Sequence, residues 1–391
     1  MSNSSTSIRL DAIIDPFEAT VLYTRDRDGR IVDAHFDLSG LPRLEPLLLG
    51  KPVAEVVHMV THLCGLCPVA HHLAGMAALD RMHGVSALPA TARAVRELLL
   101  HGAALSAYAP KFLSVSPQSA RALKELGDAL MAAAGASGHF PRVATPGGVV
   151  APADRGAVEA LDLDVEQLCA ELLECGAAES PVPPWQGVDM HLGTDPVGDR
   201  IVLSSGESFA AAESAERIRE TRPGDPAPRP QVRLSSGQWQ PYRVGPVAHA
   251  DAAIAERGLT AVMVAEIRRR VAAVERLRSG DELYGADIQA ELQPRAGTFT
   301  GVVDGPRGLL AHTYTVDEQQ RVVQCRILTP TAQNEYWLAQ MMRHALVQDC
   351  DVEESIRTAD PCLPCAAAPQ GQMGLRLRED TVSAASAEEE D

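Results

Sequence analysis

Two Cys-x-x-Cys pairs lie near opposite ends of this 391-residue chain, Cys64/Cys67 and Cys362/Cys365. Each pair places two thiolates close enough to share one metal ion, and soft thiolates suit zinc, iron–sulfur clusters and nickel or iron centres. If the two ends of the chain meet in the fold, the pairs can form a single four-thiolate site. We expect the other cysteines to be small core residues: Cys169, Cys175, Cys325 and Cys350.

Three other interpretations of the two pairs remain open on spacing alone. The pairs could be unrelated core cysteines. One pair could be a thioredoxin-like redox centre, although no βαβ pattern surrounds either of them. The pairs could also hold a structural zinc ion, although zinc ribbons usually keep their pairs only ~15–20 residues apart.

Charge and composition exclude several classes of function. The chain carries 35 Lys and Arg against 52 Asp and Glu, a formal net charge of −17, so it has no general attraction for nucleic acid or anionic membranes. No apolar run reaches the ~18 residues of a membrane-spanning helix, and the first residues lack the basic and apolar parts of a secretion signal. We therefore expect a cytoplasmic protein with neither nucleic-acid binding nor membrane insertion.

Hydrophobic patterning predicts helices and two β regions. Residues 19–36 alternate apolar and polar side chains around Asp28-Gly29, which is typical of a hairpin turn. Residues 68–176 carry Ala and Leu at helical spacing, and several segments start with Pro at the first helical position. We expect a further long helix over 251–278 and a second β region at 297–328.

Two segments depart from this pattern. Residues 180–247 contain many prolines between short strand-like pieces, and we predict an irregular, weakly structured insertion there. The remainder of 1–375 is expected to form one domain. Residues 376–391 end in an acidic run that predicts a disordered tail.

The residues around the cysteines resemble the two signature motifs of nickel-iron hydrogenase large subunits. The first, Thr61-His62-Leu63-Cys64-Gly65-Leu66-Cys67-Pro68-Val69-Ala70-His71, is similar to R-x-C-G-x-C-x-x-x-H, and Asp360-Pro361-Cys362-Leu363-Pro364-Cys365 is similar to D-P-C-x-x-C. Three further segments look like family motifs in the family's order: Val244-Gly245-Pro246-Val247-Ala248, Gly305-Pro306-Arg307-Gly308-Leu309-Leu310-Ala311-His312 and Leu328-Thr329-Pro330-Thr331-Ala332-Gln333-Asn334. The resemblance therefore extends over most of the chain.

This resemblance implies a metal centre and its ligands. All four paired cysteines would bind nickel, with Cys67 and Cys365 bridging to an iron that carries cyanide and carbon monoxide. Soft thiolates agree with such a centre. Arg307 would donate hydrogen bonds to one cyanide, and Pro306 would help to exclude water. The resemblance also implies that Thr331 donates to the other cyanide.

Histidines and glutamates complete the implied site. His71 would lie beside a bridging thiolate, although it could equally be a helix-capping or core histidine. The family's proton-accepting glutamate falls at Glu18, which gives Glu18 and Arg307 the catalytic roles; Glu18 could instead be an exposed strand residue. Glu45 falls near the family's magnesium ligand. We expect the other histidines near the site to be structural or at the surface: His58, His62, His72 and His83.

Departures from the family pattern bear on function. The arginine that precedes the first pair is His62 here, and the terminal histidine falls at Ala368, so we do not expect a complete magnesium site or C-terminal cleavage. The family's tryptophan in the Pro330 segment is Gln333, and Asp304-Gly305 replaces a pair ending in Ala. The inner ligands are kept while the surroundings of a turning-over enzyme are lost.

That combination resembles the HupK/HoxV-type accessory proteins, which implies a maturation scaffold that holds an Fe(CN)2CO unit and contacts hydrogenase maturation proteins or a hydrogenase structural subunit. The alternative is a catalytic or hydrogen-sensing large subunit that oxidises or evolves hydrogen, which would need an iron–sulfur small subunit. A second alternative is a degenerate relative with structural zinc. The helical pattern and the resemblance together imply an α+β fold, with a helical-bundle core, a small N-terminal β region and a second β region near 297–328.

Overall fold

A computed structural model describes residues 18–37, 45–62, 64–177, 179–223, 225, 227–367 and 371–380. The strands are β1 (Glu18–Arg25), β2 (Ile31–Phe36), β3 (Ala144–Thr145), β4 (Gly148–Val149), β5 (Val188–His191), β6 (Arg200–Leu203), β7 (Ser208–Ala210), β8 (Ile218–Glu220), β9 (Pro230–Arg233), β10 (Trp239–Arg243), β11 (Gly297–Gly305), β12 (Gly308–Val316), β13 (Val322–Leu328) and β14 (Gly374–Glu379). The helices are α1 (Glu45–Leu48), α2 (Val53–Thr61), α3 (Pro68–Met82), α4 (Ala90–Tyr108), α5 (Pro117–Ala133), α6 (Arg155–Glu159), α7 (Glu166–Cys175), α8 (Ser214–Arg217), α9 (Pro246–His249), α10 (Ala252–Ala255), α11 (Leu259–Ser279), α12 (Pro330–Gln333), α13 (Glu335–Gln348), α14 (Val352–Ala359) and α15 (Pro364–Ala367).

The predicted α+β fold is confirmed, and its core is a set of long helices. Helices α3 and α5 begin with Pro68 and Pro117 at the first helical position, where proline costs no intrahelical hydrogen bond. Helices α4 and α5 approach closely because both carry glycine at the crossing: a Cβ on Gly102 would lie 2.8 Å from the carbonyl oxygen of Gly127. Buried apolar side chains from α3, α4, α5 and α11 form the largest apolar cluster.

The N-terminal β region brings the two ends of the described chain together. Strands β1 and β2 form the predicted antiparallel hairpin, whose turn contains Gly29 at φ +79°. Strand β14 pairs in parallel with the other side of β1, with Glu18 opposite Gly374. Because β14 runs to Glu379, ordered structure extends beyond the predicted boundary at residue 375. The acidic residues 381–391 lie outside the described residues.

The prediction for 180–247 is corrected by the structure. This segment forms a six-stranded sheet in the order β7-β6-β5-β10-β9-β8, with its own apolar cluster that contains Met190, Ile201 and Tyr242. Pro230 is the first residue of β9, where the missing N–H is tolerated, whereas Pro241 lies within β10. The strands are only three to five residues long, so their alternation is too brief to be recognised in the sequence.

The second predicted β region is the three-stranded sheet β11-β12-β13, which lies directly on helix α3. Gly301 makes this approach possible, because a Cβ there would collide with the backbone of Ala74 and Ala78. Gly305 pairs with Gly308, so Pro306 and Arg307 form the two-residue turn between β11 and β12. None of the described helices is long and apolar enough to span a membrane.

Candidate metal centre

The first cysteine pair lies immediately before helix α3. Cys67 precedes the first helical residue, Pro68, and His71 follows within the first turn. The sulfur atoms of Cys64 and Cys67 and a ring nitrogen of His71 all lie within 4.8 Å of one another. Cys67 and His71 are buried, and Cys64 is half-buried. The start of α3 therefore supplies three potential metal ligands from eight consecutive residues.

Cys362 joins this group from the other end of the chain. Cys67 interacts with both Cys64 and Cys362, and the three cysteines shift one another's pKa values. A hydrogen bond from Cys67, helped by one from His71, lowers the pKa of Cys64 to about 4, against the opposing effect of burial. The pKa of Cys362 is also lowered, first by Cys67, whereas hydrogen bonding to Cys362 and Cys64 raises that of Cys67. The three sulfurs therefore lie close enough to shift one another's pKa values.

Cys365 lies apart from the other three. It is buried in the apolar cluster formed by strands β1 and β2 and helix α13, together with Trp337 and Met341. Burial raises the pKa of its thiol, and the charged group that acts on it is Arg357 rather than another cysteine. The structure therefore brings together Cys64, Cys67 and Cys362, but not all four predicted ligands.

Arg307 places a buried cation beside the three sulfurs. Its Nε lies 3.2 Å from Asp360 Oδ2, and Asp360 Oδ1 lies 3.0 Å from Lys111 Nζ. Burial alone would lower the pKa of Arg307, but Asp360 and the neighbouring cysteines, chiefly Cys362, raise it. Its Nη1 is buried and donates to no acceptor among the described residues. Arg307 therefore keeps an unused hydrogen-bond donor at the site.

Thr331 and Pro306 occupy the positions that the motifs predict, next to the cysteines. The hydroxyl oxygen of Thr331 accepts a hydrogen bond from the Cys362 amide, 2.5 Å away. A hydrogen bond from the same hydroxyl to the Cys362 sulfur contributes to lowering its pKa. Pro306 and Arg307 line a cavity of about 1610 Å³ that also contacts Cys67. The cavity leaves open space beside Cys67.

A buried ion-pair network supports the backbone that carries Arg307. Arg270 Nη2 donates to the carbonyl oxygens of Asp304 and Gly305, each at 3.2 Å. Glu266 accepts from Arg270 Nε at 2.7 Å, and the Asp304 carboxylate accepts from His249 Nε2 at 2.8 Å. The departure Asp304-Gly305 therefore has a structural role: Asp304 links the Arg307 turn to helix α9.

Several residues of the site were not recognised from the sequence. Lys111 carries no motif, and only the fold brings it to Asp360. His312 ends a recognised motif, but its hydrogen bond to His71, 3.0 Å between Nε2 and Nδ1, joins residues far apart in the chain. Gln333, at the tryptophan position, donates to the carbonyl oxygens of Leu309 and Leu328 and so ties two motif segments together.

Other predicted positions have mixed outcomes. His72 was predicted at the surface but is buried, and its Nε2 accepts from the Ala144 amide at 3.1 Å, because residues 144–149 cover this face of α3. Cys175 and Cys350 are exposed rather than in the core. Cys175 is the last residue of α7, and Cys350 comes two residues after α13, and both helix ends lie at the surface. Cys169 and Cys325 are buried as predicted.

The carboxylates implied by the resemblance cannot be compared with the site. Glu18 begins β1 and Glu45 begins α1, but both side chains lie outside the described residues, as does Ala368. His58, His62 and His83 each hydrogen-bond to protein atoms, and none belongs to a three-ligand group in the described part of the chain.

Comparisons with known proteins agree with the motif resemblance. No protein-family model matches the chain. The chain is 25% identical to a subunit of the vhu F420-non-reducing hydrogenase of Methanocaldococcus jannaschii, over 80% of this chain and 92% of that protein. It is also 25% identical to the hydrogenase expression/formation protein HupK of Bradyrhizobium diazoefficiens, over 78% of this chain and 81% of HupK.

Solved structures show the same fold. A chain of an NAD+-reducing [NiFe]-hydrogenase in the H2-reduced state superposes with a TM-score of 0.72 at 23% identity, covering 89% of this chain and 96% of the other. A Ni-Fe-Se hydrogenase from D. vulgaris Hildenborough gives a TM-score of 0.66 at 17% identity, covering 88% of this chain and 95% of the other.

Proposed function

Because the chain is a relative of the nickel-iron hydrogenase large subunits, we propose that it is a HupK-type maturation scaffold that holds an iron unit carrying cyanide and carbon monoxide. The observation that carries the proposal is the unused donor of buried Arg307 beside two cysteines of lowered pKa. The iron unit is cargo here, to be passed on to a hydrogenase, rather than a centre that turns over.

The donor set suits such a cargo. Thiolates are soft ligands that bind iron, and metal binding requires them to be deprotonated, as the lowered pKa values of Cys64 and Cys362 favour. A guanidinium is a strong donor to anionic acceptors, and cyanide is an anionic ligand. Arg307 Nη1 is the unused donor that would hold one cyanide, and the Thr331 hydroxyl, which has a single proton, would turn from the Cys362 sulfur to hold the other.

The position of Cys365 favours a scaffold over a complete nickel-iron centre. Cys64 and Cys67 group with His71, and Cys362 interacts with both of these cysteines, whereas Cys365 is buried among apolar side chains. A protein that holds iron alone needs fewer thiolates than one that holds two metals, and in this chain Cys362 would take the place beside iron that the family resemblance implies for Cys365. Two sequence departures also favour a scaffold: His62 stands where the family has an arginine, and Ala368 stands where it has its terminal histidine. The cysteines are thus kept, while residues that surround the site in a turning-over enzyme are lost.

Metal analysis of the anaerobically purified full chain tests the proposal. Iron in about a 1:1 ratio to protein without nickel, together with infrared bands of bound cyanide and carbon monoxide, is the expected result. Cys362→Ser should abolish iron binding, whereas the matched Cys365→Ser should retain it. Equal dependence on the two cysteines, or nickel equimolar with iron, would contradict a scaffold with three sulfur ligands.

A catalytic or hydrogen-sensing large subunit is the second candidate. It is favoured by the similarity to the F420-non-reducing hydrogenase subunits, which extends over about four-fifths of the chain. This candidate predicts hydrogen-dependent reduction of a redox dye and co-purification with an iron–sulfur subunit from the native host. The scaffold instead predicts co-purification with maturation proteins in the cytoplasm and no dye reduction.

A structural zinc site is the remaining alternative for the same cysteines. It predicts zinc without iron in the purified chain. In that case Cys64→Ser would lower thermal stability while leaving hydrogenase maturation intact. Loss of maturation in a Cys64→Ser variant that keeps its wild-type melting temperature would exclude this alternative.

A further inference from the structure

Three buried side chains form a hydrogen-bonded chain that starts at the cysteines. His71 Nδ1 lies 3.0 Å from His312 Nε2, and His312 Nδ1 lies 2.9 Å from the Tyr314 hydroxyl. The relative exposures of His71, His312 and Tyr314 are 3%, 0% and 1%. Because His71 Nδ1 faces His312, its Nε2 is the ring nitrogen left to face Cys64.

The connection follows from the packing of β12 on helix α3. His312 and Tyr314 are two residues apart on one strand, so their side chains share the face that lies against the helix. His312 meets His71 near the start of α3. Tyr314 lies farther along, among apolar residues of α2, α3 and β13 that include Val56, Leu79 and Val322.

Such a chain has only two consistent directions, because a neutral imidazole carries one donor and one acceptor nitrogen. In one direction Tyr314 donates to His312, His312 Nε2 donates to His71, and His71 Nε2 carries a hydrogen toward Cys64. In the other direction every hydrogen bond is reversed and His71 Nε2 becomes an acceptor. His312 is fully buried, and its two ring nitrogens each have one partner, His71 and Tyr314, so a neutral ring can satisfy both hydrogen bonds.

The tyrosine hydroxyl decides between the two directions. If Tyr314 donates to His312, its single proton is paired. If it accepts instead, that proton is left among apolar side chains, and an unpaired buried donor is costly. We propose that Tyr314 is a positioning residue, which acts through His312 to hold His71 as a hydrogen-bond donor to the cysteine thiolates. A thiolate that binds a metal has no proton to donate and can only accept a hydrogen bond. The direction in which His71 Nε2 donates is therefore the one that suits metal binding by these cysteines.

This inference rests on the proposed function only in taking the cysteines as the metal site. Nuclear magnetic resonance of the metal-free full chain tests the direction of the hydrogen bonds. Two-bond nitrogen–proton couplings distinguish the histidine tautomers, and His71→Gln and His312→Gln variants assign the signals. Both histidines should carry their hydrogen on Nε2. A hydrogen on Nδ1 of either ring in the wild-type chain would overturn the proposal, whatever metal the protein binds in the experiments above.

Tyr314→Phe should remove the preference and produce both tautomers at His71 and His312. The matched control is Tyr242→Phe, because the Tyr242 hydroxyl is also buried but has no hydrogen-bond partner among the described residues. The control should leave the tautomers unchanged. Unchanged tautomers in a folded Tyr314→Phe variant would also refute the proposal; if that variant does not fold, the wild-type measurement still decides.

Discussion

Glu266→Gln should destabilise the protein through the network beneath the candidate site. Glu266 is fully buried in helix α11 and accepts hydrogen bonds from Arg270 Nε and Arg269 Nη2, each at 2.7 Å. The Tyr108 hydroxyl donates to the same carboxylate at 3.3 Å. Glutamine keeps the shape but removes the negative charge, which leaves two guanidinium groups, one of them entirely buried, without their counterion.

The magnitude can be worked out from the pKa of this carboxyl group. Burial alone would raise the pKa of Glu266, but Arg270 and Arg269 lower it from 4.5 to about 2. A shift of that size corresponds to ~3 kcal/mol of stability at pH 7. Removing one partner of a buried ion pair costs about 3–5 kcal/mol in other proteins. We therefore expect Glu266→Gln to lose ~3–5 kcal/mol at pH 7.

The pH dependence has a definite sign. A carboxyl group whose pKa is lower in the folded state stabilises the protein above its unfolded pKa, and this stabilisation disappears as pH falls toward the folded pKa. For Glu266 the loss falls between about pH 5 and pH 2. The difference between wild type and Glu266→Gln should thus be nearly constant from pH 7 to pH 5 and smaller at pH 3.5.

Urea unfolding at several pH values measures this difference. Glu166→Gln is the matched control. Glu166 pairs with Arg268, which is on α11 like Glu266, but this pair lies at the surface, where an ion pair contributes little. The reasoning would be refuted by a loss below ~1 kcal/mol for Glu266→Gln at pH 7, or by equal losses for the two variants. Because Arg270 also holds the backbone before Arg307, Glu266→Gln should bind less iron even where it is folded.

Three further substitutions have expected outcomes. Gly301→Ala forces a Cβ against the backbone of helix α3 and should cost ~1–3 kcal/mol in chemical denaturation. Asp80→Asn removes the carboxylate paired with buried Arg96 and should cost about 3–5 kcal/mol, measured in the same way. Lys111→Met removes the cation paired with Asp360, which also holds Arg307, and should reduce the iron retained per chain, whereas exposed Lys124→Met should not.

The helical core was predictable because its signals are local. Proline at the first helical position marks where α3 and α5 begin, and Asp28-Gly29 marks the first hairpin. The meeting of the two chain ends followed from the paired cysteines. The six-stranded sheet was not predictable, because its short strands are stabilised by partners distant in sequence rather than by their own pattern.

The residues of the candidate site were likewise predictable only in part. The sequence motifs identify Arg307, Thr331 and the cysteines, since the spacing of each motif is local. Contacts between segments carry no such signal: Lys111 reaches Asp360, and His312 reaches His71, only through the packing of distant elements. Sequence reasoning therefore found the cysteines, Arg307 and Thr331, and missed the residues that distant elements pack around them.

The placement of Cys365 shows how the turn after α14 determines the ligand set. Asp360 ends that helix in the left-handed conformation, at φ +46°, and its carboxylate lies between Arg307 and Lys111. This anchors the start of the motif, and the Cys362 amide is held by Thr331 two residues later. Beyond Cys362 the chain enters the short helix α15, and its Cys365 packs into the apolar cluster of β1, β2 and α13. The two cysteines of one motif thus face different surroundings because anchoring acts on Cys362 and apolar packing acts on Cys365.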